Sequence, residues 1–348
     1  MSRNRSKDVE AIKNAAFDEE KRYDLSLINR KVEVAKVIST GSTLLDLEIS
    51  GRRRRGGGIP GGIIVEISGR PGTGKTALAA EICASAQNKG GEARFEDPEA
   101  RLDQEYTQTY GVCLAENFEY NRPDTVVEMF THLWEWKPKN LELINVFAGD
   151  SVAALSTEME MEEEDKRGQK RAKDFSQELR KSARLIAHNN LLVVFTNQVR
   201  QGDMGDVTPG GMALPFYASL RLRTALAKTT PYFLREKSIG SKKVTKTYGI
   251  RTVVKIIKSS VDVPFGEAPV SIIFGYGIDT IRDELQFYKD ITGDSQYNCF
   301  TKNFSLMEGA IHYIEENGYE MQLKERTIDL WESVQEKFAV SRKGKMRI

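Results

Sequence analysis

The chain has 348 residues, 40% of them hydrophobic, enough for one large globular domain with appendages or for two domains, and this composition argues against a disordered or fibrous protein. Its 51 Lys and Arg nearly cancel its 50 Asp and Glu, for a formal net charge of +1, so net charge argues neither for nor against nucleic acid and local clusters must carry that question. Cys83, Cys113 and Cys299 are far apart and form no Cys-x-x-Cys pair, which indicates neither a disulfide framework nor a zinc module. With no apolar run as long as a membrane span, and no signal-like apolar core in MSRNRSKDVE, a cytoplasmic protein without a membrane partner is expected.

In chain order, Val9, Ile12 and Ala16 fall at helical spacing among charges and predict a short amphipathic helix. It belongs to an N-terminal element over residues 1–35, expected to contact a neighbouring subunit. A glycine-rich loop over 51–62 carries four successive arginines, Arg52 to Arg55, and is expected to be exposed. Apolar runs at 63–67, 92–96, 142–148 and 191–196 then alternate with helical or polar stretches, which predicts a mainly parallel sheet in an α/β core. After 215 the runs 217–226, 248–258 and 269–274 follow without helices and read as antiparallel additions to the same sheet. From about 283, helical spacing returns through Leu306, Ile311 and Ile314 and then Ile328, Leu330, Val334 and Phe338. The expected organisation is an N-terminal element (1–35), an α/β core (36–282) and a small α-rich domain (283–348) with the basic tail SRKGKMRI.

The most specific chemistry lies in Gly69-Arg70-Pro71-Gly72-Thr73-Gly74-Lys75-Thr76, a G-x-x-x-x-G-K-[ST] pattern between a strand-like run and a helical one. Glycines let consecutive backbone N–H groups wrap phosphates at a helix N-terminus, Lys75 reaches the β and γ oxygens, and the Thr76 hydroxyl ligates Mg²⁺. A nucleoside triphosphate is therefore the expected ligand. The run at 141–149 ends in Asp150, the form of a Walker B carboxylate, although an Asp at a strand end is also a common helix cap. Residues 95–103 read Phe-Glu-Asp-Pro-Glu-Ala-Arg-Leu-Asp and follow a second strand, at the same edge of such a sheet.

Several further pieces accumulate: Ile38-Ser39-Thr40-Gly41-Ser42, Ile59-Pro60-Gly61-Gly62, Asp97-x-Glu99-x-x-Leu102-Asp103-x-x-Tyr106, Asp150-Ser151-Val152-Ala153-Ala154-Leu155 and Asn197-Gln198-Val199-Arg200. The most distinctive is Gly210-Gly211-Met212-Ala213-Leu214-Pro215-Phe216-Tyr217-Ala218-Ser219. Together they make the chain similar to RecA-type recombinases of the bacterial and phage branch, over about residues 36–282. The resemblance implies a P-loop RecA-like fold, ATP and Mg²⁺ as cofactors, and DNA-stimulated ATP hydrolysis. It implies that Glu99 polarises the attacking water, that Asp150 supports Mg²⁺ through water and that Gln198 senses the γ-phosphate. Asp103 and Tyr106 would flank the adenine, with Gly275 across from them.

Two segments bear on DNA. Residues 156–174 hold six acidic side chains over 158–165 and then Lys166, Arg167, Lys170, Arg171 and Lys173, a run that by itself also reads as a solvated helix face. Residues 201–211 are glycine-rich and are expected to be mobile without ligand. In the family these are the DNA-binding loops, and the resemblance places Lys173, Ser176, Arg180, Arg200, Gly210 and Gly211 at DNA contacts. Lys258 matches a position that reaches across to the neighbouring subunit's ATP, although a solvated strand-end lysine is the plain alternative. Two departures stand out: Pro215 and Ser260 occupy positions where family members often carry lysine. The basic tail also departs from the acidic tail of many bacterial members.

The function these residues imply is an ATP-dependent recombinase that forms a helical homo-oligomeric filament on single-stranded DNA and pairs it with double-stranded DNA. A single-strand-binding protein and loading factors are further expected partners. The alternatives are a RecA-fold mediator without strand exchange, which need not protect long single strands cooperatively, and a hexameric helicase motor, which the stretch 210–219 disfavours.

Overall fold

A computed structural model of the chain describes residues 37–100, 108–114, 117–156, 167–202, 205–207 and 213–339, of which 167–172, 200–202 and 205–207 are described by backbone alone. The residues of the N-terminal helix expectation and of the basic tail lie outside the described residues. Residues 34–280 form one compact unit, and the helices that follow Ile281 belong to a second.

In the first unit, helix α1 (Thr43–Ser50) precedes strand β1 (Ile63–Gly69), helix α2 (Lys75–Asn88), strands β2 (Ala93–Glu96) and β3 (Phe118–Asn121), and helix α3 (Val126–Glu135). Strand β4 (Asn145–Gly149), helix α4 (Arg167–His188), strand β5 (Leu191–Gln198) and the short helix α5 (Ala213–Tyr217) follow. Strands β6 (Leu220–Leu226), β7 (Tyr232–Ile239), β8 (Lys242–Ser259), β9 (Glu267–Ile273) and β10 (Gly277–Ile278) complete the sheet. The order across it is β10-β9-β8-β6-β1-β5-β4-β2-β3, with β7 paired to β8 alone. The run from β6 through β1 to β3 is parallel, and β8, β9 and β10 add antiparallel. The fold is therefore the mainly parallel α/β core that the alternation of runs predicted.

The central strands are buried on both faces, so β1, β4 and β5 read as near-continuous apolar runs, broken by the buried polar residues Glu66, Ser68, Thr196 and Asn197. Helix α4 shows the complementary logic: Phe175, Leu179, Ser182 and Ile186 fall on one stripe and are buried, while Lys173, Arg180 and Arg184 face water. Under β4 and β5, Phe130, Phe175 and Phe195 meet in edge and tilted contacts, with centroids 5.4 to 6.1 Å apart. In the second unit, helices α6 (Thr280–Thr292), α7 (Met307–Glu316) and α8 (Glu320–Lys337) enclose a small core of Leu285, Cys299, Ala310, Ile314 and Leu323. No helix among the described residues is long and apolar enough to cross a membrane.

The structure departs from the sequence expectations in several places. The glycine-rich loop over 51–62, expected to be exposed, is so at Arg52, Arg53 and Arg55 but buried at Gly51 and from Gly57 to Ile59. The run expected as a strand from 217 begins at Leu220, because 213–217 turn once as helix α5. The basic half of the expected loop 156–174 is helical from Arg167 onward. Strands β3 and β7 were not expected: β3 is short and only partly buried, and almost every residue of β7 is exposed, so neither carries a two-residue apolar alternation. A small ribbon of Tyr297–Cys299 with Lys302–Phe304 interrupts the C-terminal helices.

Phe195 is fully buried at the centre of the aromatic cluster and lies in the strand that carries Gln198. Phe195→Ala is expected to destabilise the core by about 3–5 kcal/mol in urea unfolding, and a loss below about 1 kcal/mol would show that the cluster does not support this strand.

Candidate nucleotide and nucleic-acid site

The parallel register brings several strand ends to one edge. Gly69 on β1 pairs with Gln198 on β5 and with Thr224 on β6, while Gly149 on β4 pairs with Phe195 on β5 and with Glu96 on β2. Residues just past these ends therefore converge at the carboxyl edge, where open α/β sheets place their ligands.

The P-loop is fixed there by close approach. A Cβ at position 69 would come 2.0 Å from Thr224 Oγ1 and 2.6 Å from the Thr224 carbonyl oxygen, so only glycine lets β1 and β6 run together at this point. Thr73 Oγ1 donates to the Arg70 carbonyl at 2.7 Å and lies 2.7 Å from Thr224 Oγ1, while Thr252 Oγ1 donates to the Thr73 carbonyl at 3.1 Å. The loop is thus tied to the antiparallel strands β6 and β8. Gly74 caps α2 with φ 87°, and a Cβ there would meet Ile272 at 2.4 Å. Gly72 has φ 72° and nothing within 4 Å of its missing Cβ, so the backbone opens onto clear space where a phosphate would approach. Arg70 and Pro71 are exposed on the loop's outer side.

Lys75 is buried, and its ammonium donates to the Arg70 carbonyl at 3.0 Å. Burial lowers its pKa, and the nearby Asp150 and Glu99 carboxylates oppose that shift. Asp150 follows β4, takes hydrogen bonds from the Thr196 and Thr76 hydroxyls, and lies near Lys75. Removal from water raises its pKa against those three, with Glu99 adding to the rise. Gln198 Nε2 donates to Glu99 Oε1 at 3.0 Å. Lys75, Thr76, Glu99, Asp150 and Gln198, drawn from four places in the sequence, therefore form one constellation. Thr76 and Asp150 supply a hydroxyl and a carboxylate side by side, a hard oxygen donor set that suits Mg²⁺ completed by phosphate oxygens and water.

Gly275 has φ 78° in the turn between β9 and β10, three residues beyond the Ile272 side chain that abuts Gly74. Asp103 and Tyr106 lie outside the described residues. Sequence reasoning missed Thr196, Thr224 and Thr252, all buried hydroxyls on strands, whose only signal is a polar residue interrupting an apolar run.

Of the expected DNA residues, Lys173, Ser176 and Arg180 lie three and four residues apart along α4, with Lys173 and Arg180 exposed. Arg200 opens a two-stranded ribbon of Arg200–Gly202 with Gly205–Val207, two residues after Gln198. Gly210 and Gly211 lie outside the described residues. Lys258 is away from its own P-loop. On β8 it pairs with Arg221, which pairs with Glu66 on β1, three residues or about 10 Å of strand before Gly69. Its ammonium donates to the carbonyls of Pro215 at 3.1 Å and Phe216 at 2.8 Å. Burial, with Arg221 beside it, lowers the Lys258 pKa, and Glu66 opposes that.

Residues 10–279 match the RecA N-terminal domain family. The chain belongs to the RecA family. It is 37% identical over 285 residues to Protein RecA of Thermus thermophilus, covering 78% of each chain. It is 36% identical over 294 residues to Protein RecA of Thermus aquaticus, covering 81% of this chain and 80% of the relative. With Protein RecA of Aquifex aeolicus it shares 35% over 300 residues, 82% of this chain and 81% of that one. The P-loop fold is thus that of a RecA-family protein.

Two turns along α2 from the P-loop of this RecA-family chain, Glu81 Oε1 accepts from the Ile278 backbone N–H at 3.2 Å, and its other oxygen lies 2.8 Å from where a Cβ of Gly41 would be. It thereby lies against two other segments, at Gly41 and at Gly277–Ile278, beside a cavity of about 430 Å³ lined by Ser39, Ser85, Tyr110 and Tyr276. Burial pushes its carboxyl from 4.5 up to about 7, and the Ile278 N–H opposes that rise. The folded pKa lies above the unfolded one, so the contribution to stability is fully present below about pH 4.5 and is lost as pH rises through about 7. Glu81→Gln is therefore expected to gain melting temperature relative to the native chain as pH rises across that window, and a difference that stays constant with pH would reject this assignment.

Proposed function

We propose that this chain is an ATP-dependent recombinase that polymerises on single-stranded DNA and catalyses homologous pairing and strand exchange, with DNA-stimulated hydrolysis of ATP. The observation that carries the proposal is the hydrogen bond from Gln198 to Glu99, made at the mouth of the P-loop by a strand that continues within two residues into the segment expected to meet DNA. Membership of the RecA family and the relatives named Protein RecA support the same reading.

In this reading the backbone N–H groups of residues 69–74 cradle the phosphates and Lys75 neutralises the β and γ oxygens. Thr76 and Asp150 would hold Mg²⁺, which supplies charge neutralisation at the transferring phosphoryl group. Glu99 orients and polarises the attacking water. Gln198 can hydrogen-bond either Glu99 or a phosphate oxygen, so its choice couples the state of the nucleotide to the segment that begins at Arg200. Asp103, Tyr106 and Gly275 receive the base. Lys173, Ser176, Arg180 and Arg200, with the glycines at 210 and 211, contact the DNA backbone, and phosphate contacts of this kind give affinity without sequence preference.

Lys258 acts in trans. Its distance along the sheet from its own P-loop supports service to a neighbouring subunit, where it would stabilise charge on the γ-phosphate only in the assembled filament. The organisation into an N-terminal contact element, an ATPase core and a C-terminal domain belongs to the same proposal.

Lys75→Ala is expected to abolish productive ATP binding, and hydrolysis at the native rate would reject the P-loop assignment. Glu99→Gln should bind ATP and Mg²⁺, lose about 100-fold or more of its hydrolysis, and form filaments that persist; rapid disassembly with ATP would sink the role given to Glu99. Lys258→Ala should leave ATP binding by the free protein intact while cutting DNA-stimulated hydrolysis. Mixing the last two variants is the decisive measurement, because their junctions can pair an intact Glu99 with a neighbour's intact Lys258. Recovered hydrolysis supports a shared site, and no recovery in demonstrably mixed filaments counts against it.

A further inference from the structure

Glu99, the residue proposed to polarise the attacking water, lies on no regular element. It sits in a turn that opens at Asp97, just past the end of β2, and closes where the Ala100 N–H donates to the Asp97 carbonyl at 3.1 Å. Ala100 takes a left-handed φ of 51°, uncommon for a residue with a side chain, so the shape of the turn is imposed by what it is attached to. On so short a tether, the Glu99 carboxylate goes wherever the end of β2 goes.

That end is gripped from both faces of the sheet. Alternation along β2 sends Arg94 and Glu96 to one face and Phe95 to the other, the face of its cross-strand partner Tyr120. On the first face Glu96 is fully buried; its Oε1 accepts from Arg94 Nε at 2.7 Å and its Oε2 from His132 Nδ1, on α3, at 2.8 Å. Arg94 Nη1 donates in turn to Glu119 Oε2 on β3 at 2.8 Å. On the second face the buried Asp97 accepts from the Tyr120 hydroxyl at 2.8 Å, and Arg122 Nε donates to that hydroxyl at 3.0 Å. The backbone is engaged as well, since the Asp97 N–H donates to the Asn121 carbonyl and the Glu96 carbonyl accepts from the Asp150 N–H, both at 2.9 Å.

Stability alone does not call for these bonds. A buried ion pair can often be replaced by apolar side chains of similar volume without loss, and α3 otherwise buries Val126, Met129, Phe130 and Leu133. A satisfied polar network adds what apolar packing lacks, a single allowed geometry. We propose that His132, from one face of the sheet, and Tyr120, from the other, are positioning residues for hydrolysis: through Glu96 and Asp97 they fix the end of β2 and so the place of the Glu99 carboxylate. They have this role only if Glu99 acts on the attacking water, as proposed above.

The test measures steady-state ATP hydrolysis by the full-length chain on saturating single-stranded DNA, with thermal melting of each variant alongside. His132→Leu should lower kcat about tenfold or more while KM for ATP stays within about twofold, because a displacement of about 1 Å can cost on the order of a hundredfold and the phosphate cradle hangs on other strands. His132→Asn, which can return an N–H donor to Glu96, should recover kcat to within about threefold of the native chain. Tyr120→Phe, which lacks one half-buried oxygen, should lower kcat with KM unchanged, and it decides in place of His132→Leu if that variant does not fold. A native kcat in folded His132→Leu, or in Tyr120→Phe where that variant decides, would overturn the proposal, as would a kcat of His132→Asn as low as that of His132→Leu. If the native chain hydrolyses no ATP, or Glu99→Gln hydrolyses it at the native rate, the function proposed above fails instead.

Discussion

The contact on which the site depends is the close approach of Gly69 to Thr224. With no side chain at 69, strands β1 and β6 stay in register to their ends, and the P-loop leaves the sheet within hydrogen-bonding reach of Thr224 and Thr252. A methyl group at 69 would have to displace backbone, because the Thr224 carbonyl oxygen lies 2.6 Å from where it would be. The same register carries Gln198 to the other flank of Gly69, so one glycine sets the spacing between the phosphate cradle, the antiparallel strands and the strand that leads towards residues 201–211.

Around that anchor the electrostatics are arranged by burial. Lys75, Asp150 and Glu99 are close enough to influence one another, and the protein pushes both Lys75 and Asp150 towards neutrality by removing them from water. Two hydroxyls and an ammonium hold Asp150 against that shift. The aromatic cluster of Phe130, Phe175 and Phe195 backs this arrangement mechanically. A Cβ on Gly149, the residue before Asp150, would come 2.9 Å from the Phe195 ring, so the strand that presents the carboxylate packs directly on the core.

What the sequence made legible was whatever chemistry forces into a fixed spacing. The P-loop and the carboxylate after β4 could be read because each is a residue type at a set distance from a strand end, whereas Glu99 was singled out through the family resemblance. The parallel core was legible because strands buried on both faces leave long apolar runs. Strand β7 was not, since a ribbon exposed on both faces has no apolar alternation to detect. Helix α5 was not legible, and the strand expected from 217 overlaps its last residue, because five residues with a central proline give too short a window for any period. The hydrogen bond between Gln198 and Glu99 joins positions 99 residues apart and could only come from the folded register.

Under the trans role proposed for Lys258, which the register sets apart from its own P-loop, the two ends of the filament would be chemically unlike. One terminal subunit holds a nucleotide that no neighbouring lysine reaches, and the opposite one presents a lysine still bonded to the carbonyls of Pro215 and Phe216. Under that proposed role a run of n subunits would have n − 1 complete sites, so turnover per subunit would grow with the length of DNA covered, and a lone protomer would be inactive by construction rather than by regulation.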